Sequence, residues 1–468
     1  MTRTLLIDEA LFETRAALMQ NETLIEVYIE RHDDISSVGE FYVGRISKLM
    51  PSLDGAFVDL GSAGSGFIVS RDIARDGKKI SNLVHEGEKR LFQVTKDRLG
   101  EKPVQLSCRY RLDSPNFIFR PMATGLTFSK NIQSSDLRDQ ITLLAGTLLE
   151  QGSVTVRTSA NAASTDNFKA ELQYLADEWS RIQNEPIQSS KPRRLGPAQT
   201  PLLHILHSCL TSNLNIIVNR SRALNEAKKH IQRLFPSSLA NLTLWDKRES
   251  LFEAFGAEEQ LEQALQKHVP LPSGANIVLE RTEAMIVIDV NSSSYTSATE
   301  PAASALSTNL EAAREIARQI RLRNYGGIII IDFVQTQGRG DVAKITQELQ
   351  NAFQDDPVHT RLIGMTELGL MQVVRTRTRK AIADILLDDC RLCNGEGTIE
   401  QTTTLLSKLL RAVDNAAGHA RKGHIDIYAG SELTTELNLH KQTMESYLGI
   451  KLNIILDPQM TFGEYTLG

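Results

Sequence analysis

Two aspartates and one asparagine lie near the ends of apolar runs and have the chemistry to hold a metal ion. The run AMIVIDVN contains Asp289, with Asn291 two residues later, and the run GGIIIIDF places Asp332 at a matching point. Two carboxylates brought close together repel each other unless a cation neutralises them. Magnesium takes hard oxygen ligands and keeps several waters, and Asn291 could orient a carboxylate or a metal-bound water. Alternatively, each aspartate only closes a loop at a strand end.

A strand, a helix and a second strand are expected to position these aspartates. The segment STNLEAAREIARQIRLRNYGG has apolar residues at helical spacing, Ser307 or Thr308 as the N-cap and Gly326 as the stop. A helix of about 18 residues, rising about 1.5 Å per residue, returns the chain far enough to re-enter the sheet as a parallel strand. Asp289 and Asp332 are then expected together at the carboxyl ends of two strands, where open α/β sheets bind ligands.

Length and composition predict a cytoplasmic protein of several modules. The chain has 468 residues, more than one core usually serves, with 41% hydrophobic and 23% charged residues. No window approaches the roughly 20 apolar residues of a membrane helix, and no signal peptide is recognisable. Four cysteines argue against a disulfide framework. The net charge of −5 gives no global sign of a nucleic-acid partner, so any anion-binding surface must be local.

Hydrophobic patterning indicates an α+β multidomain chain. Residues 1–34 alternate as strands with one buried face do, and short strand-like runs fill residues 41–112. The number and spacing of those runs fit a five-stranded OB-type barrel. A Pro-rich, polar tract at 184–201 is the linker candidate, and helical patterns dominate from there to residue 270.

Two phenylalanines of the predicted barrel are candidates for binding nucleic acid. Phe57 in GAFVDLG and Phe67 in SGFIVS lie on adjacent predicted strands. Exposed aromatic side chains of OB barrels stack the bases of single strands, at roughly 1–3 kcal/mol per base. The alternative is that both phenylalanines belong to the core of the barrel.

Basic residues at two places could bind phosphate. The run SVTVRTSAN predicts a short strand that ends at Arg157 and Thr158, where a guanidinium fork and a hydroxyl could hold a terminal phosphate. An arginine at a strand end can equally be solvated. The densest basic run, RTRTRK at 375–380, could grip phosphates from a helix or form a solvated face, and it is expected to supply supporting electrostatics.

A C-x-x-C pair, Cys390 and Cys393, has the form of half a zinc knuckle. A structural zinc needs four ligands, and the other two cysteines, Cys108 and Cys209, lie in other predicted modules. The remaining ligands must therefore come from elsewhere. A redox pair is the alternative, but a redox C-x-x-C normally opens a helix after a strand, whereas this one follows a helical stretch.

The chain resembles the ribonuclease E/G family of bacterial endoribonucleases in three long segments: LPSGANIVLERTEAMIVIDVNSSS, NLEAAREIARQIRLRNYGGIIIIDF and DCRLCNGEGT. The resemblance runs along nearly the whole chain. It implies that Asp289 and Asp332 bind magnesium and that Asn291 positions one of them. It also implies a metal-activated water that attacks an RNA phosphate in line.

The resemblance also assigns the other candidates. Phe57 and Phe67 match the base-stacking pair of the family's barrel, which is of the ribosomal-protein S-one type, and Lys102 matches a basic residue there. Arg157 and Thr158 resemble the family's pocket for a 5′-monophosphate, with TGLTFSKNI as its floor.

For Cys390 and Cys393 the resemblance implies a structural zinc shared between two chains, and hence a homodimer or a tetramer. It also implies an order of domains. A ribonuclease H-like part is expected in two segments, 1–34 and 200–265, and the other parts are an OB-type RNA-binding barrel at 35–112, a 5′-phosphate sensor region and linker at 113–199, a DNase I-like catalytic subdomain at 266–388, a zinc link at 389–399 and a small C-terminal domain at 400–468.

Some positions depart from the family pattern and bear on cleavage rate and RNA affinity: Pro103, Ser293, Ser294, Gln335 and Glu367. Arg391 departs from the family's cysteine motif, which usually has a proline after the first cysteine. The expected function is a magnesium-dependent endoribonuclease that cleaves single-stranded RNA, prefers 5′-monophosphorylated substrates, and acts in ribosomal RNA processing and mRNA decay. One alternative is a catalytically impaired RNA-binding protein of the same family. Another is a DNA-directed nuclease on the same fold, although nothing in the sequence suggests that it reads a duplex.

Overall fold

The structure, a computed structural model, divides the chain into two compact units, Met1–Ile385 and Leu386–Gly468. It describes residues 3–32, 36–74, 77–98, 102–188, 190–196, 200–210, 214–292, 301–336, 338, 340–390, 392–393, 395, 397–419, 424–461 and 463–468. Ser293, Ser294 and Arg391 lie outside these residues. Among the described helices, none combines the length and the apolar character that a membrane span needs.

A five-stranded sheet joins the start of the chain to a later segment. In spatial order its strands are Leu242–Leu244, Leu214–Val218, Arg3–Glu9, Glu13–Gln20 and Thr23–Arg31. The three N-terminal strands form an antiparallel meander, and the two later strands are parallel to their neighbours. The helices that contact this sheet or its connections include Pro201–Cys209, Ser221–Leu234, Leu251–Ala254 and Ala257–Gln263.

A closed barrel of five strands follows the N-terminal meander, as predicted. In order around the barrel the strands are Phe41–Met50, Gly55–Asp59, Ser65–Val69, Val104–Ser107 and Lys89–Lys96, and the last pairs with the first. A short helix, Ser70–Ile73, interrupts them, and strand Arg193–Leu195 adds to the outer edge. Gly44 is required by the packing, because a Cβ there would lie 2.6 Å from Val58 Cγ1.

A small four-stranded sheet and its helices fill the region after the barrel. In spatial order the strands are Gly125–Phe128, Ser153–Val156, Phe117–Arg120 and Leu112–Asp113. The helices are Ser135–Leu144, Gly146–Leu149 and Thr165–Gln183. Phe117, Phe119 and Val154 are fully buried and pack against Phe168 and Leu175 of the last helix. We call this sheet the arginine sheet, because the arginines described below surround it.

The third large sheet carries both candidate aspartates, and we call it the aspartate sheet. In spatial order its strands are His268–Pro270, Asn276–Arg281, Met285–Asn291, Gly327–Asp332, Leu370–Arg375 and Thr360–Met365. The two central strands are parallel, and the other pairs are antiparallel. Helices Pro301–Leu322 and Asp341–Ala352 supply buried residues to the core of this sheet, and a short helix, Ile382–Leu386, follows it.

The connection between the two aspartate strands is a helix, as predicted, but its start was predicted wrongly. The helix spans 22 residues, Pro301–Leu322, so Ser307 and Thr308 lie inside it and cap nothing. The preceding segment, PAASA, is a good helix former and has proline at the first helical position, so it extends the helix. The helix also ends before Gly326, and Asn324 takes the left-handed conformation, with φ 51°.

The second unit is a small α+β module. Helices Thr402–His419 and Ser431–Leu448 accompany a three-stranded sheet with the order Lys451–Leu456, His424–Ala429 and Tyr465–Leu467. Its core includes Leu409, Ile427 and Leu437, which are fully buried.

The predicted α+β multidomain class with a barrel is therefore confirmed. The ribonuclease H-like and DNase I-like assignments and the detailed domain boundaries stay predictions.

Candidate active site and RNA-binding surfaces

Asp289 and Asp332 lie directly opposite each other on adjacent parallel strands. They form the last register pair between strands Met285–Asn291 and Gly327–Asp332. Their strand neighbours Ile288 and Ile331 are fully buried in the core, whereas both aspartates are exposed. Since facing residues of paired strands point to the same side and the strands lie about 4.8 Å apart, the two carboxylates share one open edge of the sheet.

The Asn291 side chain orients one of these carboxylates. Its Nδ2 donates a hydrogen bond of 2.9 Å to Asp289 Oδ2. Asn276, which sequence reasoning missed, is the register partner of Asn291 on the neighbouring strand and adds a second amide at this edge. The signal for it was present, because Asn276 starts the alternating run NIVLE.

The donor set fits magnesium. Magnesium is usually held by one or two carboxylates, with waters and substrate phosphates completing its coordination, and rigid strand ends with exposed carboxylates leave room for those ligands. Among the described residues, no group of three or more His, Cys, Asp or Glu could hold a metal by itself. A cation at this edge would therefore take its ligands from two carboxylates, water and substrate.

Two connections next to Asp332 shape the edge. Asn309, fully buried on the crossover helix, donates to the Val334 carbonyl oxygen at 2.7 Å and accepts from the Val334 N–H at 3.0 Å. Sequence reasoning missed Asn309, which fixes the chain just after the aspartate. Glu367 lies exposed in the turn that precedes Leu370, the register partner of Asp332, so this departure adds negative charge near the edge.

The barrel phenylalanines lie on its outer face and not in its core. Phe57 and Phe67 are register partners, with ring centroids 5.2 Å apart in an edge-to-face arrangement. They are part of a continuous row across four strands, which we call the barrel row: Lys48, Phe57, Phe67 and Gln105. Lys48 and Gln105 are exposed and were missed from the sequence. Lys102 is also exposed and lies three residues before Gln105, separated from it by Pro103 and Val104.

Arg157 and Thr158 follow strand Ser153–Val156 at the edge of the arginine sheet. The Thr158 hydroxyl lies 2.7 Å from the hydroxyl of Ser129, which belongs to the predicted pocket floor. The Arg157 Nη2 lies 3.4 Å from Asp113 Oδ1, and its Nε is buried without a partner among the described residues. Sequence reasoning missed Asp113, which is the carboxylate beside this arginine.

Arg111 shares the Asp113 carboxylate with Arg157. Arg111 Nε donates to Asp113 Oδ1 at 2.7 Å. Burial and then the charge of Arg111 lower the pKa of Arg120, and burial likewise lowers the pKa of Arg157. We call Arg109, Arg111, Arg120 and Arg157 the arginine cluster. Among the described residues, Asp113 is the carboxylate that forms ion pairs with this cluster, so the four guanidinium groups leave a local positive surface on a chain of negative net charge.

The buried side chain of Glu171 is hydrogen-bonded to the segment that holds the backbone of Arg157. It is fully buried and accepts hydrogen bonds from the Ser114 hydroxyl at 2.6 Å, the Asn116 N–H at 2.8 Å and Asn116 Nδ2 at 2.6 Å. Burial raises the pKa of Glu171 to about 7, despite these donors. The Asn116 carbonyl oxygen accepts from the Arg157 N–H at 2.9 Å, so the buried glutamate is connected to the backbone of Arg157.

The basic run at 375–380 does not form one phosphate-binding face. Arg375 is 1% exposed at the end of a strand, where it binds Asp356 at 2.7 Å. Arg379 forms an ion pair with Glu26 and lies 3.9 Å over the Tyr28 ring. The prediction that this run forms a helix or a solvated face is therefore wrong for these two arginines, because distant segments supply buried partners for them.

Cys390 and Cys393 are free thiols in a short loop. Cys390 is exposed, and the N–H groups of Cys393 and Leu392 lower the pKa of its thiol. Cys393 Sγ accepts from the Gly397 N–H at 3.2 Å. Thiolate ligands with amide donors suit zinc, although the loop offers only two of the four ligands that a closed site needs.

The other two cysteines are poor candidates for the missing zinc ligands. Burial raises the pKa of the Cys108 thiol to about 12, and burial also raises the pKa of the Cys209 thiol. A buried thiol of high pKa resists the deprotonation that zinc binding requires.

Fold and sites together define a multidomain α+β protein with a closed five-stranded barrel and paired carboxylates at a sheet edge. Residues 112–378 match the Ribonuclease E/G family. Ribonuclease G of Haemophilus influenzae is 30% identical over 86% of this chain and 85% of its own length. Ribonuclease G of Escherichia coli K12 is 28% identical over 98% of both chains. Ribonuclease E of a Nostoc species is 31% identical over 77% of this chain and 54% of its own length.

The chain therefore belongs to the ribonuclease E/G family. Membership makes it an endoribonuclease, a hydrolase that acts on RNA. Among solved structures, the intact alpha subunit of aIF2 from Pyrococcus abyssi covers 81% of this chain and 94% of its own, at 11% identity and a TM-score of 0.15, a likeness too low to carry an argument.

Proposed function

We propose that the protein cleaves single-stranded RNA by magnesium-dependent hydrolysis at Asp289 and Asp332. The observation that carries the proposal is their register pairing on parallel strands, with one carboxylate held by Asn291. When bound there, magnesium would neutralise charge on the scissile phosphate and supply an activated water. Asp289 and Asp332 would hold the cation, and Asn291 would keep one carboxylate from turning away.

We assign the single-strand surface to the barrel row. The rings of Phe57 and Phe67 lie outside the barrel and present apolar surface on which bases can stack, and Lys48 and Lys102 add positive charge beside them. Stacking on rings tolerates any base, which suits an enzyme that acts on many RNAs. We propose ribosomal RNA processing and mRNA decay as its cellular roles.

We propose that Arg157 and Thr158 bind a 5′-monophosphate. The support is the arginine cluster, the Ser129 hydroxyl beside Thr158 and the Arg157 Nε, which has no partner among the residues that the structure describes. Phosphate would compete with Asp113 for the guanidinium group of Arg157. Arg157→Ala should slow cleavage of 5′-monophosphorylated RNA and leave 5′-hydroxyl RNA nearly unchanged, because only the former carries the charge that this group binds. Equal slowing of both substrates would count against the assignment.

We also propose that Cys390 and Cys393 contribute half of a zinc site shared by two chains. A two-fold axis brings the same two thiolates from each chain to one point, which would supply the four ligands of a closed site. The support is the amide-stabilised thiol of Cys390 and the high pKa of the buried Cys108 thiol.

The central test is cleavage of an A/U-rich, 5′-monophosphorylated oligoribonucleotide with and without magnesium. Asp289→Asn and Asp332→Asn should each abolish cleavage and keep RNA binding within a few-fold, because each removes one anionic ligand and leaves the binding surfaces intact. Asp246→Asn, at an exposed loop carboxylate, is the matched control and should cleave normally. Undiminished cleavage by either active-site variant would refute the assignment. Wild-type protein that binds RNA but never cuts it would favour the impaired RNA-binding alternative.

A further inference from the structure

A cavity at the other end of the aspartate sheet contains a buried arginine. It has a volume of about 300 Å³, and its lining includes the apolar residues Leu265, Leu279 and Tyr325 and the cations Lys267, Arg281 and Arg323. Glu280 and Thr282 complete the lining. We call it the cation pocket. It lies beside the turn that leads into Met285, and its wall residue Leu279 is the register partner of Ile288, the residue before Asp289.

Arg323 is buried, and it forms no ion pair with any acidic residue that the structure describes. It is 2% exposed, and its Nε donates to Gln319 Oε1 at 2.6 Å. Its Nη2 is buried and has no hydrogen-bond partner within the described part of the chain. The nearest carboxylate along this path is Glu315, which is reached only through Gln319 Nε2. A buried guanidinium group of this kind is unfavourable unless an anion compensates it.

The other cations of the pocket already have partners. Lys267 Nζ lies 3.2 Å from Glu280, and Arg281 Nη1 lies 2.6 Å from Asp384. Both cations lie at the rim, where their side chains are 70% and 40% exposed. The positive charge of Arg323 is therefore the one in this pocket that no described carboxylate neutralises.

We propose that the cation pocket binds a compact phosphate monoester, with Arg323 as the phosphate ligand. Arginine suits phosphate because its planar donors match two phosphate oxygens. The walls formed by Leu265, Leu279 and Tyr325 would contact the apolar part of the same molecule. The volume lies at the lower end of the range for small-molecule sites, about 300–1,000 Å³.

The test uses protein with Arg157→Ala, so that the 5′-phosphate site cannot bind the probe. Inorganic phosphate, adenosine 5′-monophosphate and adenosine are titrated calorimetrically into this protein without magnesium. Both phosphates should bind at one site per chain, and adenosine should not. Adding Arg323→Gln should raise the Kd at least about tenfold, as expected for loss of a charge-assisted hydrogen bond. Lys267→Gln, at the exposed rim, is the matched control and should change the Kd less than about threefold.

A second variant guards against misfolding of Arg323→Gln. Leu265→Trp would fill the cavity from its partly exposed wall while Arg323 stays unsubstituted. This variant should also abolish phosphate binding. Phosphate binding that is absent, or unchanged by both variants, overturns the proposal. If adenosine binds as tightly as adenosine 5′-monophosphate, the pocket is an apolar site, and the proposal is overturned as well. Displacement of phosphate by a 5′-hydroxyl oligoribonucleotide would identify the ligand as an RNA chain and refute the small-molecule assignment.

Discussion

Replacing the buried Glu171 by glutamine should remove a pH dependence of stability from the region beneath Arg157. Burial raises the pKa of Glu171 to about 7 in the folded protein, from an ordinary value of 4.5. The folded state therefore holds this proton more tightly than the unfolded state does. It follows that the stabilising contribution is complete below about pH 4.5 and is lost as the pH rises toward 7.

The size of the effect follows from the pKa difference. At about 1.4 kcal/mol per pKa unit, full ionisation of Glu171 costs the folded state about 3 kcal/mol, of which about 2.5 kcal/mol falls between pH 5 and pH 8. Glutamine cannot ionise. It can also keep the hydrogen bonds, because a flip of the Asn116 amide would let its Oδ1, now buried without a partner, accept from the glutamine amide.

The assay is urea unfolding at pH 5 and pH 8 for wild type, Glu171→Gln and Asp177→Asn, a control at an exposed carboxylate on the same helix. From pH 5 to pH 8, the free energy of unfolding of the wild type and of the control should fall by about 2.5 kcal/mol more than that of Glu171→Gln. Equal losses in all three proteins would show that the Glu171 pKa is not raised. If Glu171 also positions Arg157 through Asn116, the preference of Glu171→Gln for 5′-monophosphorylated over 5′-hydroxyl RNA should equal that of the wild type at pH 6. At pH 8 the preference of the variant should exceed that of the wild type.

Two further predictions concern other parts of the chain. Burial lowers the pKa of His230 to about 3, so the stability that neutral His230 contributes is complete above pH 6.5 and is lost on acidification. His230→Phe can keep the ring contact with His207 at 4.6 Å, and between pH 7.5 and pH 5 its free energy of unfolding in urea should fall by about 2 kcal/mol less than that of the wild type. An equal fall in both proteins would contradict this prediction. Zinc should be present at about half an equivalent per chain, and Cys393→Ser should shift the protein toward monomer in sedimentation, whereas a zinc-replete monomer would eliminate the shared site.

The relation of the two aspartates was predictable because it depends on local pattern. Two apolar runs of strand length end in the same residue type and flank a segment of helical period, and a strand–helix–strand unit places such ends side by side. The barrel was predictable for a similar reason, since five short runs with turn signals leave few alternatives. In both cases the information lies within the segment that folds.

The errors arose where partners come from distant segments. The basic run at 375–380 has the composition of a phosphate-binding face, yet Arg379 pairs with Glu26, which lies 353 residues away in the chain. Asp113 and Glu171 were missed for the same reason. Neither belongs to a sequence motif, and the groups that each one contacts are brought close by the fold. Asn309 looked like any polar residue of a helix until its contacts with Val334 placed it behind Asp332.

The distribution of charge explains how a chain of net charge −5 can act on a polyanion. The carboxylate edge with Asp289 and Asp332 repels phosphate unless a cation is bound there, so RNA must be held mainly by other surfaces. The arginine cluster and the lysines near the barrel row provide such surfaces. They belong to the arginine sheet and the barrel, whereas Asp289 and Asp332 belong to the aspartate sheet. Removing the metal should therefore stop cleavage while RNA binding survives, whereas neutralising the arginine cluster should weaken the discrimination between RNA ends while the chemistry remains intact.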